Sequence, residues 1–546
     1  MTRECQTFDE IRTFIAKKFA MKNTVTILLV CLLLQTTAFG QKEGLSSIKQ
    51  QDLKAHMEFF ASDQLQGRET GTEVNDIVAL YLKTNLIRLG LKPVTPDYYQ
   101  HMPMVYYKNS MENSFLKICD NSGNEIYFTD SIMPITSNLR TLAADGKMVF
   151  AGYGFKDENA AYNDFGGIDL KDKIVLFMTR TPEMVRNEEG ATSILFQAEN
   201  SKIENVFISG AKALLIVFDP AHSIQDPFQS ILNELIQGGK ISAKGDTLNS
   251  FPFILSFIKP NTANNILRPT GKTLLQLQTE ISKSGKPVSF EIPDISVSLK
   301  AAVESHEFDG KNVIGIIQGS DPVLKNEYII YTAHFDHLGK NNKGEIFNGA
   351  DDNASGSVGL LETAKAFMSL KKRPLRSIVF LWVNGEEKGL VGSDYYVKNP
   401  IVPLEKIILD INLDMIGRSK TPADTGTFYG MEMNVTNPGE VMMYTRHESS
   451  ELMKIISGSA DKTGIKVIDM GEDIEDGGSD HESFWAKDVP AVMFHTGIHA
   501  DLHQKTDDEN KIDYDKMEQV TKLVFQVGYQ LANQRKRFSI DQPIVE

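Results

Sequence analysis

The chain has 546 residues, a formal net charge of -15, 41% hydrophobic and 24% charged residues, which is an ordinary soluble composition and enough for two to four domains at about 100–200 residues each. The acidic balance and the lack of any long Lys/Arg run argue against a nucleic-acid partner and an anionic membrane surface, both of which need a positive field. Cys5 and Cys31 fall in the leader described next, so Cys119 remains alone: no intramolecular disulfide and no thiolate cluster is possible, and a metal site must use His, Asp and Glu.

Met21 to Gln41 reads as a secretory signal. Lys22 gives a positive start, Val25–Leu34 an apolar run, and Ala38-Phe39-Gly40 a small-x-small cleavage site with Gln41 as the mature N-terminus. The run is short for a membrane span. The polar residues 1–20 are read as coming from an upstream start codon that is not used. The mature protein is expected to be exported, periplasmic or secreted, with no stable membrane insertion after signal removal.

Residues 51–92 carry apolar side chains at helical spacing, interrupted by the loop signal Gly67-Arg68-Glu69-Thr70-Gly71 and ended by Gly90-Leu91-Lys92-Pro93. From about 141 to 290, strand-like runs at Met148–Ala151, Lys173–Met178, Ala213–Phe218 and Phe251–Phe257 alternate with turn clusters such as Gly152-Tyr153-Gly154 and Asp164-Phe165-Gly166-Gly167. This stretch lacks the His and acid combinations that chemistry needs and reads as an inserted domain. Beyond 291, near-continuous apolar strands are expected at Val313–Ile317, Tyr328–Ala333, Ser377–Val383, Ile407–Leu413 and Ala491–His495, with a helix over Ser355–Leu370. That alternation is an α/β sheet pattern.

Acids or histidines follow these strands, where ligands gather in α/β sheets. They stand in Ala333-His334-Phe335-Asp336-His337, Gly349-Ala350-Asp351-Asp352-Asn353-Ala354-Ser355-Gly356, Asn384-Gly385-Glu386-Glu387-Lys388-Gly389, Asn412-Leu413-Asp414-Met415 and His499-Ala500-Asp501-Leu502-His503. His334 can ligate a metal, with Asp336 placed to orient its ring. Adjacent acids in a Gly/Ala loop suit a bridging carboxylate, and of two adjacent glutamates one can bind metal while the other faces an attacking water. Two histidines with three carboxylates suit a pair of zinc ions that activate water and polarise a carbonyl.

These motifs, in this order and spacing, resemble the zinc aminopeptidase family that includes bacterial leucyl aminopeptidases, aminopeptidase S and, more distantly, glutamate carboxypeptidase II. The resemblance covers roughly 291–530, and the Gly67–Gly71 segment resembles the family's N-terminal region. Ala151-Gly152-Tyr153-Gly154, Asp169 to Leu176 and Gly210-Ala211-Lys212-Ala213 look like a protease-associated domain. The resemblance implies a mixed, mostly parallel central sheet with helices on both faces, split into 41–140 and 291–546 around an insert at 141–290. It implies two Zn2+ per chain: His334 and Asp414 on one, Glu387 and His503 on the other, Asp352 bridging. Glu386 would be the general base and acid, and Asp336 would orient His334. Choosing Asp352 over Asp351 rests on the resemblance. His503 is taken as the late histidine ahead of His499 and His495, and His337 and His495 read as packed or solvated. Asp480-His481 resembles a segment lining the site.

The expected activity is hydrolysis of N-terminal residues from peptides by a metal-bound hydroxide. Carboxypeptidase or dipeptidase activity on the same site is the closer rival. A glutaminyl cyclase would use one zinc and lack the His334/Asp336 pair, and a non-catalytic binding protein on this scaffold would have lost ligands.

Overall fold

A computed structural model describes residues 41–541 except 130–131, 137–139, 158–160, 183–192, 222–238, 246–252, 342, 429–430, 447–448 and 472–477. The expected leader, and residues 251–252 of one expected strand, lie outside the described residues. The chain divides into two units. One comprises residues up to Met102, Gly310–Thr425 and those from Met433 on; the other is Pro103–Asp309 with Gly426–Glu432. The expected insert, 141–290, lies within the second.

The first unit is built on a mixed sheet of β1 (Ile295–Ile317, of which residues from 310 belong here), β2 (Tyr328–His334), β3 (Ser377–Val383), β4 (Ile407–Leu413), β5 (Glu440–Tyr444), β6 (Lys466–Gly471) and β7 (Ala491–His495). Their order is β1-β3-β2-β4-β7-β5-β6. β3, β2, β4 and β7 are mutually parallel, while β1 and β5 join this core antiparallel. All residues of β3, β4 and β7 are buried, which is why these segments are apolar on both faces rather than alternating.

The helices that flank the sheet include α1 (Gln50–Phe60), α2 (Glu73–Leu89), α3 (Gly356–Met368), α4 (Val391–Lys398), α5 (Ser450–Thr463), α6 (His481–Trp485) and α7 (Tyr514–Asn533). Alternate strand residues enter two separate cores. Tyr331, Phe380, Trp382 and Leu409 pack with Leu53, Phe60, Leu82, Leu361 and Phe525 of α1, α2, α3 and α7. Ile330, Val379, Leu381 and Val383 pack with Tyr396 and Phe484 of α4 and α6. The Thr72 hydroxyl caps α2 by accepting from the Asn75 amide, and Gly90, at φ +84°, ends it. α7 lies so close to β2 that a Cβ on Gly528 would overlap the Tyr331 hydroxyl, whose proton goes to the Val524 carbonyl at 2.8 Å.

The second unit has a six-stranded sheet with Ser289–Glu291, Met148–Ala151, Ile174–Met178, Ala213–Val217, Ile254–Ile258 and Ile132–Thr136 in that order. Its four central strands are parallel. The Gly152-Tyr153-Gly154 turn is fastened by buried Asp164, which accepts from the Tyr153 and Phe155 amides and the Tyr162 hydroxyl at 2.9, 3.2 and 3.0 Å.

Candidate functional site

The parallel strands carry several of the side chains singled out from the sequence at their carboxyl ends. His334 is the last residue of β2, Glu386 and Glu387 form the turn after β3, and Asp414 follows β4. Asp352 stands in the loop before α3, and its peptide bond to Asn353 is cis. His503 stands in the loop after β7. His334 Nε2 lies 3.3 Å from Asp352 Oδ1, 3.4 Å from Asp414 Oδ1 and 4.0 Å from Glu386 Oε2. His503 Nε2 lies 3.1 Å from Asp352 Oδ2 and 3.3 Å from Glu387 Oε2. The two oxygens of Asp352 thus face two different donor groups. All seven residues singled out from the sequence lie together. The side chains of Glu386 and His503, 15% and 38% exposed, are the ones solvent reaches most.

A second layer fixes the loops. The Arg68 guanidinium is fully buried and donates to the carbonyls of Phe60, Phe335, Asn348 and Gly349. It therefore ties the loop after His334 to the loop before Asp352. The Thr70 hydroxyl lies 2.9 Å from Asp336 Oδ2. Asp336 does not bond the His334 ring through its carboxylate, which stands 3.9 Å from Nδ1. Its backbone carbonyl faces that nitrogen at 3.3 Å, while its carboxylate accepts the Gly385 and Glu386 amides at 2.8 and 3.3 Å. Asn353 donates to the Leu413 carbonyl, joining the Asp352 and Asp414 loops.

The two adjacent aspartates part company. Asp351 turns to His499 Nε2 at 3.2 Å and accepts the Gly417 amide, whereas Asp352 turns to His334 and His503. Asp507 accepts the backbone amides of both at 2.9 and 3.1 Å.

The electrostatics follow from many acids in little water. Burial works against a charged His334 ring, but the Asp414 and Glu386 carboxylates hold its pKa well above the usual histidine range. Burial likewise opposes a charged His503, and Glu387 and Asp352 overcome it, raising its pKa. Glu386 is pushed well up by burial and by its neighbours Glu387, Asp480 and Asp414. Glu387 resists burial and the adjacent Asp352 charge because His503 and His337 hold it down to about 2. Burial raises Asp480 to about 7. The paired glutamates are therefore driven apart, one poised to carry a proton and one kept ionised.

The donor set suits metal. Two groups satisfy the spacing for a cation: His334, Asp352 and Asp414, and His337, Asp352 and Glu387. His334 Nε2 and Asp414 Oδ1 are buried without a hydrogen-bond partner, a costly state that a cation between them relieves. Imidazole nitrogen with carboxylate oxygen is the ligand chemistry of zinc. Sequence reasoning passed over His337, whose Nδ1 is 2.5 Å from Glu387 Oε1, and gave no role to Arg68 or Thr70. His495 is packed, its Nδ1 accepting the Gly497 amide. Asp480 and His481 are fully buried beside the site.

Residues 312–528 match peptidase family M28. Leucine aminopeptidase 2 of Trichophyton rubrum is 30% identical over 187 residues, 34% of this chain and 33% of that protein. A glutamate carboxypeptidase 2 homolog of Caenorhabditis briggsae is 24% identical over 423 residues, 69% of this chain and 53% of that protein. The chain thus spans about a third to a half of the length of these relatives. Among solved structures, an aminopeptidase from Aneurinibacillus sp. strain AM-1 superposes with a TM-score of 0.55 at 19% identity, covering 92% of this chain and 98% of that one. A zinc aminopeptidase from Bacillus subtilis does so with 0.50 at 18% identity, covering 88% and 95%. At these identities the structural likeness establishes the fold.

Proposed function

We propose, from the peptidase family M28 domain carried on residues 312–528, that the protein is a two-zinc aminopeptidase acting on peptides. The observation that carries this reading is the divided carboxylate of Asp352, with one oxygen facing His334 and the other His503. His334 and Asp414 would hold one ion, Glu387 and His503 the other, and Asp352 would bridge them. When bound, such a pair polarises the scissile carbonyl and acidifies the attacking water.

The chain's own residues do the rest. Glu386 is the general base and acid: ionised once cations stand beside it, its carboxylate takes a proton from the water that adds to the carbonyl carbon. It returns that proton to the amine nitrogen as the C–N bond breaks. Asp336 holds the Gly385 and Glu386 amides, and so the position of that carboxylate, while its carbonyl faces the His334 ring. Residues 141–290 form an inserted protease-associated domain. The signal at 21–40 exports the chain, and among the described residues no helix is long and apolar enough to cross a membrane.

The test is hydrolysis of aminoacyl-p-nitroanilides, free and N-acetylated, with zinc measured on the same sample. Two zincs and cleavage of free-amine substrates alone is the expected result. Release of C-terminal residues from N-acetylated peptides, with no p-nitroaniline formed, would instead establish the carboxypeptidase reading, which the glutamate carboxypeptidase 2 homolog match favours. No zinc and no turnover after zinc addition would refute both.

A further inference from the structure

We propose that His337 is a fourth protein ligand of the second ion, so that the two metal positions are unequal: one closed by protein donors, the other left open beside Glu386. This rests on the two-ion reading above and adds to it a residue and an asymmetry.

Four observations meet at this side chain. His337 Nδ1 lies 2.5 Å from Glu387 Oε1 and 3.6 Å from Asp352 Oδ2. His503 Nε2 addresses the same Asp352 oxygen at 3.1 Å and the other Glu387 oxygen at 3.3 Å. Two rings therefore converge from different directions on one pair of carboxylates, edge to face, with centroids 5.8 Å apart. Separations near 3.3 Å are what neighbouring donors show around one zinc with bonds of about 2.0–2.1 Å; the His503 pairs and the 3.6 Å between His337 and Asp352 are close to it, while the 2.5 Å contact to Glu387 Oε1 is a hydrogen bond that an ion between the two groups would replace.

The ring is also built in. His337 is fully buried, and Gly349, at φ +56°, leaves the space it fills: a Cβ there would stand 2.4 Å from His337 Cδ2. Its backbone amide donates to the Arg68 carbonyl. Finally, Nε2 is buried without a hydrogen-bond partner. The ring's polar engagement is thus with the two carboxylates, unlike a core histidine satisfied through both nitrogens.

Two nitrogens and two carboxylate oxygens complete a tetrahedral zinc site, the closed arrangement of structural ions. On the other side, His334, Asp352 and Asp414 supply three protein donors, and Glu386 stands 4.0 Å from His334 Nε2. That is the arrangement of a position open to water and substrate. The closed ion would fix Asp352 and Glu387, and the open one would face the general base.

The test is zinc titration of the full chain after chelator stripping, read by calorimetry, together with the visible spectrum of the cobalt-substituted protein. His337→Ala removes the ring. His337→Asn places an amide near Nδ1 that can still donate to Glu387 but is a poor zinc ligand. The wild-type chain should bind two ions of unequal affinity. Both variants should lose more than about a hundredfold at one site, beyond the usual cost of an outer-layer partner, and keep the other. Both should also lose the share of the cobalt absorption that the second site contributes, and keep the share of the first. Wild-type affinity in His337→Asn with loss only in His337→Ala would overturn the assignment, leaving His337 as a hydrogen-bond donor to Glu387. Two ions at unchanged affinity in both variants would overturn it as well, with the two-ion reading intact. Fewer than two ions in the wild-type chain would refute the two-ion reading and this proposal together. Matching urea midpoints of the stripped variants and stripped wild type would keep the readout on the ion rather than on folding.

Discussion

Arg68→Ala should loosen the first unit more than any surface change. The guanidinium donates to four backbone carbonyls, those of Phe60, Phe335, Asn348 and Gly349. Burial lowers its pKa only to about 10, with Asp352, Asp336, Asp507 and Glu387 holding it up, so it stays charged at neutral pH. Hydrogen bonds from a charged donor contribute about 1.5–3 kcal/mol each. Four would sum to more than is observed for removing one member of a buried charged cluster, about 3–5 kcal/mol, because water enters the space left. The smaller figure is the expectation. The protein's two tryptophans, Trp382 and Trp485, both lie in the first unit, so their fluorescence follows that unit alone during urea unfolding. With a urea dependence of about 3 kcal/mol per molar for a unit of this size, the midpoint should fall by about 1–1.7 M. Arg68→Lys keeps the charge but not the fork and should fall by less. A shift under about 0.3 M at unchanged slope would refute the idea that this side chain clamps the His334 and Asp352 loops.

Glu386→Gln should keep both zincs and lose about 10²–10⁴-fold in turnover of a free-amine p-nitroanilide; near-full activity would remove Glu386 from its role. Asp336→Asn turns an amide toward the Gly385 and Glu386 N–H groups, and zinc titration should show about 10–100-fold weaker binding. His56 is buried against Tyr81 and Glu362, and burial, with Arg88 and Lys365, pushes its pKa down from 6.5 to about 4. The unfolded chain takes up that proton first, so the contribution is full above pH 6.5 and lost as pH falls toward 4. It amounts to about 3 kcal/mol, and His56→Gln should flatten the tryptophan-monitored stability curve across that window.

Strands at Ser377–Val383, Ile407–Leu413 and Ala491–His495 were legible because a parallel strand covered on both faces is largely apolar; within Ile407–Leu413, the buried exceptions Asp410 and Asn412 are hydrogen-bonded to Thr332 and Ser479. The long strand Tyr99–Asp120 and the part of Ile295–Ile317 ahead of Val313 escaped notice because both carry exposed polar stretches, around Glu112 and around His306. At the candidate site, acids and histidines follow apolar runs, so a local pattern points to them. Arg68 gives no such signal: an arginine between glycine turns is ordinary, and three of its carbonyl partners lie 267 to 281 residues away. His337 was passed over for a different reason. It stands three residues from His334, yet its neighbours Glu387 and Asp352 meet it only through the packing of three loops.

Those loops bring Asp336, Asp352, Glu386, Glu387, Asp414 and Asp480 into one region, largely out of water. Burying so many carboxyl groups is unfavourable unless cations or protons compensate. Without an ion, the raised His334 and His503 supply part of that positive charge as imidazolium, and the raised Glu386 and Asp480 remove part of the negative charge by staying protonated. Zinc must then displace the protons of His334 and His503, so affinity should fall as pH is lowered and uptake should release protons. Each zinc ion, at a hundred times its own dissociation constant, should also stabilise the first unit by about 2.7 kcal/mol. The tryptophan-monitored urea midpoint should therefore rise by about 1 M per ion. A midpoint indifferent to zinc would mean that the acids are compensated by the chain's own side chains, and that the pairing of His334 with Asp414 and of His503 with Glu387 is a packing arrangement rather than a metal site.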